Sequence, residues 1–144
     1  MILTDKWFST IGETDEGKPI FITGRDDIDE FRQCGKLKER VEIYWRYTPG
    51  YNDMPTIDDG QLMDEVQELL RKTMERDKLA ILTGIYVGGG ERTLVFYART
   101  SRVFGERLNE ALAPYPTLPI TLYVENDPDW NEYNEMCEIR PFAE

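Results

Sequence analysis

Segments with strand-like and helix-like spacing of apolar residues follow one another between residues 39 and 125, and little of this stretch is left over. In the first strand-like segment, Val41, Ile43 and Trp45 share one face and polar side chains occupy the other. In the segment 58–76, apolar residues recur every three or four positions, which predicts an amphipathic helix. The predicted strands are 41–47, 79–87, 92–99 and 118–125, and a second helix is predicted from Thr100 or Ser101 to Pro114.

These elements follow the order strand, helix, strand, strand, helix, strand. This order predicts an α+β fold built on a ferredoxin-like split βαβ unit, with four antiparallel strands and two helices on one face. Turn residues agree with it. The run Gly88-Gly89-Gly90 predicts a tight hairpin, and Asp58 or Asp59 is predicted to cap the first helix. The loop 48–57 contains turn formers, Asn52 among them.

The N-terminal residues predict an added β-hairpin. Residues 5–12 and 18–24 are strand-like and are joined by a polar loop bounded by glycines. Pro19 cannot donate a backbone hydrogen bond, which favours an edge position for the second strand. Residues 26–31 favour a capped helical turn.

The C-terminal residues predict a short last helix, with Asp127 as its N-cap and Pro128 as its first residue. We therefore predict a single domain over residues 1–144. It consists of an N-terminal hairpin extension (1–38), the βαββαβ unit (39–125) and a C-terminal helical tail (126–144).

The predicted second strand is apolar on both of its faces. Ile81 and Ile85 fall on one side, and Ala80 and Leu82 fall on the other. Two helices on one face cannot bury both sets. The second face therefore needs a cover, which is the N-terminal hairpin, the helix that carries Trp130, or another chain.

Charge and composition exclude several classes of protein. The 144 residues include 28 acids, 17 bases and no histidine, which gives a net charge of −11. The absence of histidine excludes Ser-His-Asp, Cys-His and histidine-ligated metal chemistry. The negative charge disfavours nucleic acid as a partner. Aromatic strand residues such as Tyr44 could stack RNA bases, but the basic-glycine-aromatic signature of that module is missing.

No segment approaches the about 20 apolar residues of a membrane span, and the N-terminus lacks the features of a signal peptide. We therefore expect a soluble cytoplasmic protein that has no membrane partner. Cys34 and Cys137 do not form a CxxC pair, so a reduced pair or one long-range disulfide remains open.

Two segments resemble ligand-binding motifs but lack residues or a context that those motifs require. The triple glycine at 88–90 precedes a strand instead of a helix, so it is a poor phosphate loop. Asp127, Asp129, Asn131 and Glu138 have the spacing of calcium-loop positions 1, 3, 5 and 12, but Glu132 replaces the required glycine. The sequence therefore predicts no catalytic residue, no metal ligand and no cofactor.

Trp130 lies in an acidic segment, where an exposed tryptophan could anchor a partner and a buried one would cover the sheet. The candidate binding residues are Trp130, Tyr133, Asp127 and Asp129 in the terminal segment, and Tyr44 and Arg46 on the polar face of the first strand of the βαββαβ unit. The leading hypothesis is a non-enzymatic, acidic protein-binding or regulatory module that binds a protein partner or associates with itself. The alternative is a histidine-free enzyme, such as a carboxylate- or metal-dependent hydrolase.

Several segments also resemble a known family. They are Trp7 followed by Gly17-Lys18-Pro19-Ile20, the strand Arg40–Tyr47, the hairpin from Gly84 to Tyr97, and the ending Asp127-Pro128-Asp129-Trp130-Asn131-Glu132-Tyr133. In these segments the chain resembles the bacterial DUF695 family, an uncharacterised group, over nearly its whole length. The resemblance implies no catalytic role for any residue, because the family has no established activity.

Overall fold

The structure is a computed structural model that describes residues 1–50 and 53–141. Asn52 of the predicted loop and residues 142–144 of the predicted tail lie outside this part of the chain. The elements are β1 (Trp7–Glu13), β2 (Pro19–Arg25), α1 (Asp29–Gln33), β3 (Glu39–Arg46), α2 (Ile57–Glu75), β4 (Ala80–Gly88), β5 (Glu91–Ala98), α3 (Ser101–Leu112), β6 (Ile120–Asn126) and α4 (Asn131–Glu138).

All strands form one antiparallel sheet in the order β1-β2-β4-β5-β3-β6. The α+β class is confirmed, but the sheet has six strands instead of the predicted four, because the two strands of the predicted N-terminal hairpin belong to it as well. The N-terminal hairpin extends the sheet because β2 pairs with β4 from Phe21 to Gly24. The predicted edge position of β2 is also wrong. Pro19 is tolerated because it is the first residue of β2 and lies before the stretch that pairs with β4.

Helices α2 and α3 pack on one face of the sheet, which we call the helical face. Their buried residues recur at helical spacing. The core on this face contains Met63, Val66, Leu70, Met74, Phe104 and Leu108 from the helices, and Val41, Ile43, Trp45, Leu82, Leu94 and Phe96 from the strands.

Helix α4 and residues 28–37 cover part of the opposite face, which we call the second face. The core there contains Ile22, Ile28, Phe31, Leu37, Ile81, Val95, Tyr97, Trp130, Tyr133 and Met136. Two glycines allow α4 to lie close to the sheet. A Cβ at Gly84 would lie 2.9 Å from the sulfur of Met136, and one at Gly24 would lie 3.0 Å from its methyl carbon. Among the three covers that the sequence left open, the structure has the helix that follows Trp130.

Local details differ from the sequence predictions at two helix starts. The cap of α2 is Thr56, not Asp58 or Asp59, because the Thr56 hydroxyl accepts the amide of Asp59 at 3.2 Å. Helix α4 begins at Asn131 instead of Pro128, and its N-cap residue Trp130 has a left-handed φ of 56°.

The hairpin between β4 and β5 is confirmed. Gly89 and Gly90 form its two-residue turn with φ of 62° and 84°, values that residues with a side chain rarely adopt. Cys34 and Cys137 are not joined by a disulfide. None of the helices among residues 1–50 and 53–141 is long and apolar enough to cross a membrane.

Candidate functional site

The polar part of the second face lies between α4 and β6 and is organised by Arg40 of β3. Its guanidinium contacts three carboxylates, those of Glu42 (2.7 Å), Asp127 (2.7 Å) and Glu125. Burial alone lowers the pKa of Arg40, but the hydrogen bonds to these carboxylates outweigh burial and raise it. Arg40 therefore remains charged and ties β3 to β6 and to the turn that leads into α4.

Asp127 is a second centre of this network. Its buried carboxylate accepts hydrogen bonds from Arg40 and from the Tyr97 hydroxyl, both at 2.7 Å. It also accepts from the amides of Asn131 at 2.9 Å and Glu132 at 3.3 Å, so it caps α4 from the preceding turn. Burial raises the pKa of Asp127, but the hydrogen bonds from Tyr97, Asn131 and Arg40 lower it below its ordinary value overall.

Trp130 covers the sheet, since only 1% of its surface is exposed. Its ring stacks on the ring of Tyr97, with the two centroids 4.2 Å apart and an angle of 18° between the ring planes. Its indole N–H donates to the carbonyl of Leu37 at 2.8 Å. Tyr133 is also buried, and its hydroxyl donates to the carbonyl of Arg25 at 2.6 Å. Neither side chain can reach a partner unless α4 leaves the sheet.

The other candidate residues are more accessible. Asp129 is exposed on the turn before α4, and Arg46 is exposed at the end of β3. Tyr44 is half-buried on the second face and donates to Glu42 at 2.7 Å. The structure therefore brings Asp127, Trp130 and Tyr133 together, places Tyr44 beside the Arg40 network, and does not bring Asp129 or Arg46 into it.

Sequence reasoning missed the pair formed by Tyr86 and Glu132. The Tyr86 hydroxyl donates to Oε1 of Glu132, while Oε2 is buried and has no hydrogen-bond partner among the described residues. Burial raises the pKa of Glu132 above its ordinary value. No local signal could reveal this pair, because its members are 46 positions apart.

The calcium-loop spacing does not form a loop in the structure. Asp127 belongs to the Arg40 network, and Asn131 to Glu138 form helix α4. Among residues 1–50 and 53–141, no group of three or more acids or cysteines is arranged to hold a metal ion.

Three consecutive large apolar residues are exposed on the outer strand β6. Leu122, Tyr123 and Val124 are 45%, 44% and 46% exposed. Leu122 and Val124 pair with Ile43 and Val41, so they lie on the helical face. They lie at the edge of the sheet and are not part of the core that α2 and α3 form on that face.

A shallow cavity of about 220 Å³ continues this surface between α3 and β6, and Asn109, Leu112 and Ile120 contribute to its lining. At the other end of the sheet, Ile11 of β1 and Phe21 of β2 are the comparable exposed side chains. The outer edge of β6 therefore combines backbone that pairs with no strand among the described residues with three consecutive exposed large residues. Glu125 is the one charged residue of this strand, and no proline, lysine or bulge lies within it.

These features define an antiparallel α+β protein whose terminal helix is bound to one face of the sheet by a buried polar network. The chain belongs to the family of unknown function DUF695, whose model matches residues 5–136. This match confirms the resemblance seen in the sequence. Comparisons with curated proteins and with solved structures each gave no significant match.

The Tyr86–Glu132 pair gives a prediction for stability against pH. A carboxyl group whose pKa is raised by folding favours the folded state when it is protonated, and this contribution is lost as pH rises through the folded pKa. We expect the free energy of unfolding of Glu132→Gln to rise relative to that of wild type as pH increases from about 4 to about 8. Urea unfolding across this range checks it. A difference between the two proteins that stays constant with pH would contradict the raised pKa.

Proposed function

We propose that this protein is a non-enzymatic protein-binding module, and that a strand of its partner pairs with the outer edge of β6. The observation that carries the proposal is the run of exposed Leu122, Tyr123 and Val124 on an edge strand whose outer side has no neighbouring strand among the described residues. Backbone groups on such an edge supply hydrogen bonds, and the alternating side chains supply specificity. Folded proteins generally protect such edges, so an unprotected one favours a binding role.

The second face offers little apolar surface to a partner. Most of its apolar residues are buried by α4 and residues 28–37 within one chain. Beside them lie Arg40 and Tyr44, whose side chains both donate hydrogen bonds to Glu42, and the exposed Tyr123 of β6. The partner is therefore proposed to bind at β6 and not on the second face. The order β6-β3-β5-β4 within the sheet also supports a ferredoxin-like unit that is extended by the N-terminal hairpin.

The test compares capture of proteins from source-cell lysate by immobilised wild type, Val124→Lys and Ile11→Lys. Both variants add one positive charge at an exposed apolar residue, but Val124 lies on β6 and Ile11 lies on β1. We expect a partner that binds wild type and Ile11→Lys and is lost with Val124→Lys. Its purified form should then slow hydrogen exchange of β6 amides. A partner held equally by all three proteins would contradict the β6 site.

An enzyme is the second candidate, because Glu132 has a raised pKa and one buried oxygen that has no hydrogen-bond partner among the described residues. These are properties of a general acid or base. A hydrolytic activity that is abolished in both Glu132→Gln and Tyr86→Phe, while both variants stay folded, would favour it over the binding module. A metal-dependent form has no support from the described residues.

A further inference from the structure

We propose that the partner of the β6 edge is a second copy of this chain, and that the two β6 strands pair antiparallel across a two-fold axis at Tyr123. This inference rests on the proposed function and names its partner. Two-fold symmetry is the commonest arrangement of soluble oligomers, and an edge strand that pairs with its own copy about such an axis forms one continuous sheet.

The length of β6 selects the register of this pairing. The strand runs from Ile120 to Asn126, so Tyr123 is its central residue. Only a register in which Tyr123 faces its own copy pairs all seven residues of both strands. In this register Leu122 of each copy lies opposite Val124 of the other, which joins two exposed apolar patches on the helical face.

The opposite face of the strand is also compatible with this register. Tyr123 meets its own copy, which gives an aromatic cross-strand pair. Thr121 of each copy lies opposite Glu125 of the other, so the two acidic side chains do not face each other. Glu125 can also keep its contact with Arg40, since that contact runs to the neighbouring strand β3. The strand is therefore self-complementary on both faces.

Interface size and charge predict a weak dimer. A seven-residue strand and part of one helix bury less than the about 1,200 Å² of total surface that stable interfaces usually reach. Each copy also carries a net charge of −11, so the copies repel one another. We therefore expect a dimer that depends on concentration and becomes tighter as salt rises from about 20 mM to about 300 mM, because salt screens exposed charges.

Cysteine cross-linking tests the register. In a background with Cys34→Ser and Cys137→Ser, Tyr123→Cys places two thiols on directly opposed residues, whose Cα atoms are about 5 Å apart in an antiparallel pair. This distance suits a disulfide. Thr121→Cys is the matched control, because its two copies would be four residues apart, or about 13 Å. We expect rapid dimer formation under mild oxidation with the first variant and little with the second.

Sedimentation velocity of the uncross-linked protein tests the affinity of the dimer. Protein concentrations between about 1 and 300 µM cover the micromolar dissociation constants of weak complexes. We expect wild type and Ile11→Lys to dimerise alike and Val124→Lys to weaken dimerisation at least about tenfold. Leu122→Lys gives the same test from the opposing residue if the first variant does not fold. Circular dichroism establishes that each variant is folded.

The outcomes separate this inference from the proposed function. Wild type that stays monomeric at both salt concentrations, or cross-linking that is equal for Tyr123→Cys and Thr121→Cys, would overturn the dimer. If β6-dependent capture of another protein is then observed, the proposed function stands with a different partner. If Val124→Lys changes neither dimerisation nor capture, both proposals fall.

Discussion

Replacing Asp127 by alanine is expected to lower the free energy of unfolding by about 3 kcal/mol. The substitution removes the acceptor shared by the Tyr97 hydroxyl, the Arg40 guanidinium and two amides at the start of α4. A buried donor left without a partner costs about 1–3 kcal/mol, and loss of a helix cap adds about 1 kcal/mol. Arg40 keeps its contacts with two other carboxylates, which limits the total. Urea unfolding followed by tryptophan fluorescence measures the change.

Asp129→Ala is the matched control for this prediction. Asp129 lies two residues away in the same turn, but it is exposed, so we expect a change within about 0.5 kcal/mol. Asp127 also has a lowered pKa, so the stability it provides is complete above the ordinary pKa of an aspartate and is lost as pH falls. Asp127→Asn should therefore flatten the acid side of the stability profile. If Asp127→Ala were as stable as Asp129→Ala, the network would not hold α4 on the sheet.

The fold was predictable where the signal is local. Helical spacing predicted α2 to within one residue at each end, and the glycine run predicted the hairpin between β4 and β5. The width of the sheet was not predictable in this way. It depends on the pairing of β2 with β4, for example of Phe21 with Val87. These residues are far apart in sequence, and the composition of each strand is the same whether or not the two strands pair.

The candidate site depends even more on distant residues. Trp130 and Asp127 stand out in the sequence because a large aromatic residue and an aspartate before a proline are recognisable. Their partners Leu37 and Arg40 are 93 and 87 positions away. A tryptophan in an acidic segment has the same local pattern whether it binds a partner or covers a sheet, so only the structure could show that it is buried. The exposure of β6 follows from strand order, which local patterns do not determine.

The largest loss of stability is expected for Glu75→Ala, at about 3–5 kcal/mol, because the substitution leaves a buried guanidinium without its carboxylate. Arg25 and Glu75 are 1% and 8% exposed, and Nη1 of Arg25 lies 3.0 Å from Oε2 of Glu75. The same carboxylate accepts the amide of Leu82 at 3.0 Å, and Arg25 donates to the carbonyl of Leu82 at 3.0 Å. Arg25 also donates to the carbonyl of Thr4 at 2.8 Å and lies over the ring of Trp7.

The position of this ion pair explains why the expected effect is so large. Pairing between β2 and β4 ends at Gly24 and Gly84, and a bulge follows between Gly84 and Leu82. Beyond this point the side chains of Arg25 and Glu75 bind the backbone of Leu82 in place of a neighbouring strand. They thereby join the N-terminal segment, β2, β4 and the end of α2. Removal of Glu75 would leave both a buried charge and a buried amide unpaired.

Glu68→Ala on the same helix provides the comparison, since Glu68 forms an exposed ion pair with Arg71 and its loss should cost less than about 1 kcal/mol. Urea unfolding of both variants, together with Arg25→Met and the double variant Arg25→Met/Glu75→Ala, completes a double-mutant cycle. We expect the double variant to be less unstable than the sum of the single variants, because no charge is then left buried alone. If Glu75→Ala and Glu68→Ala lost equal stability, or if the effects of the cycle were additive, the hairpin would be held to the sheet by strand pairing alone, without this ion pair.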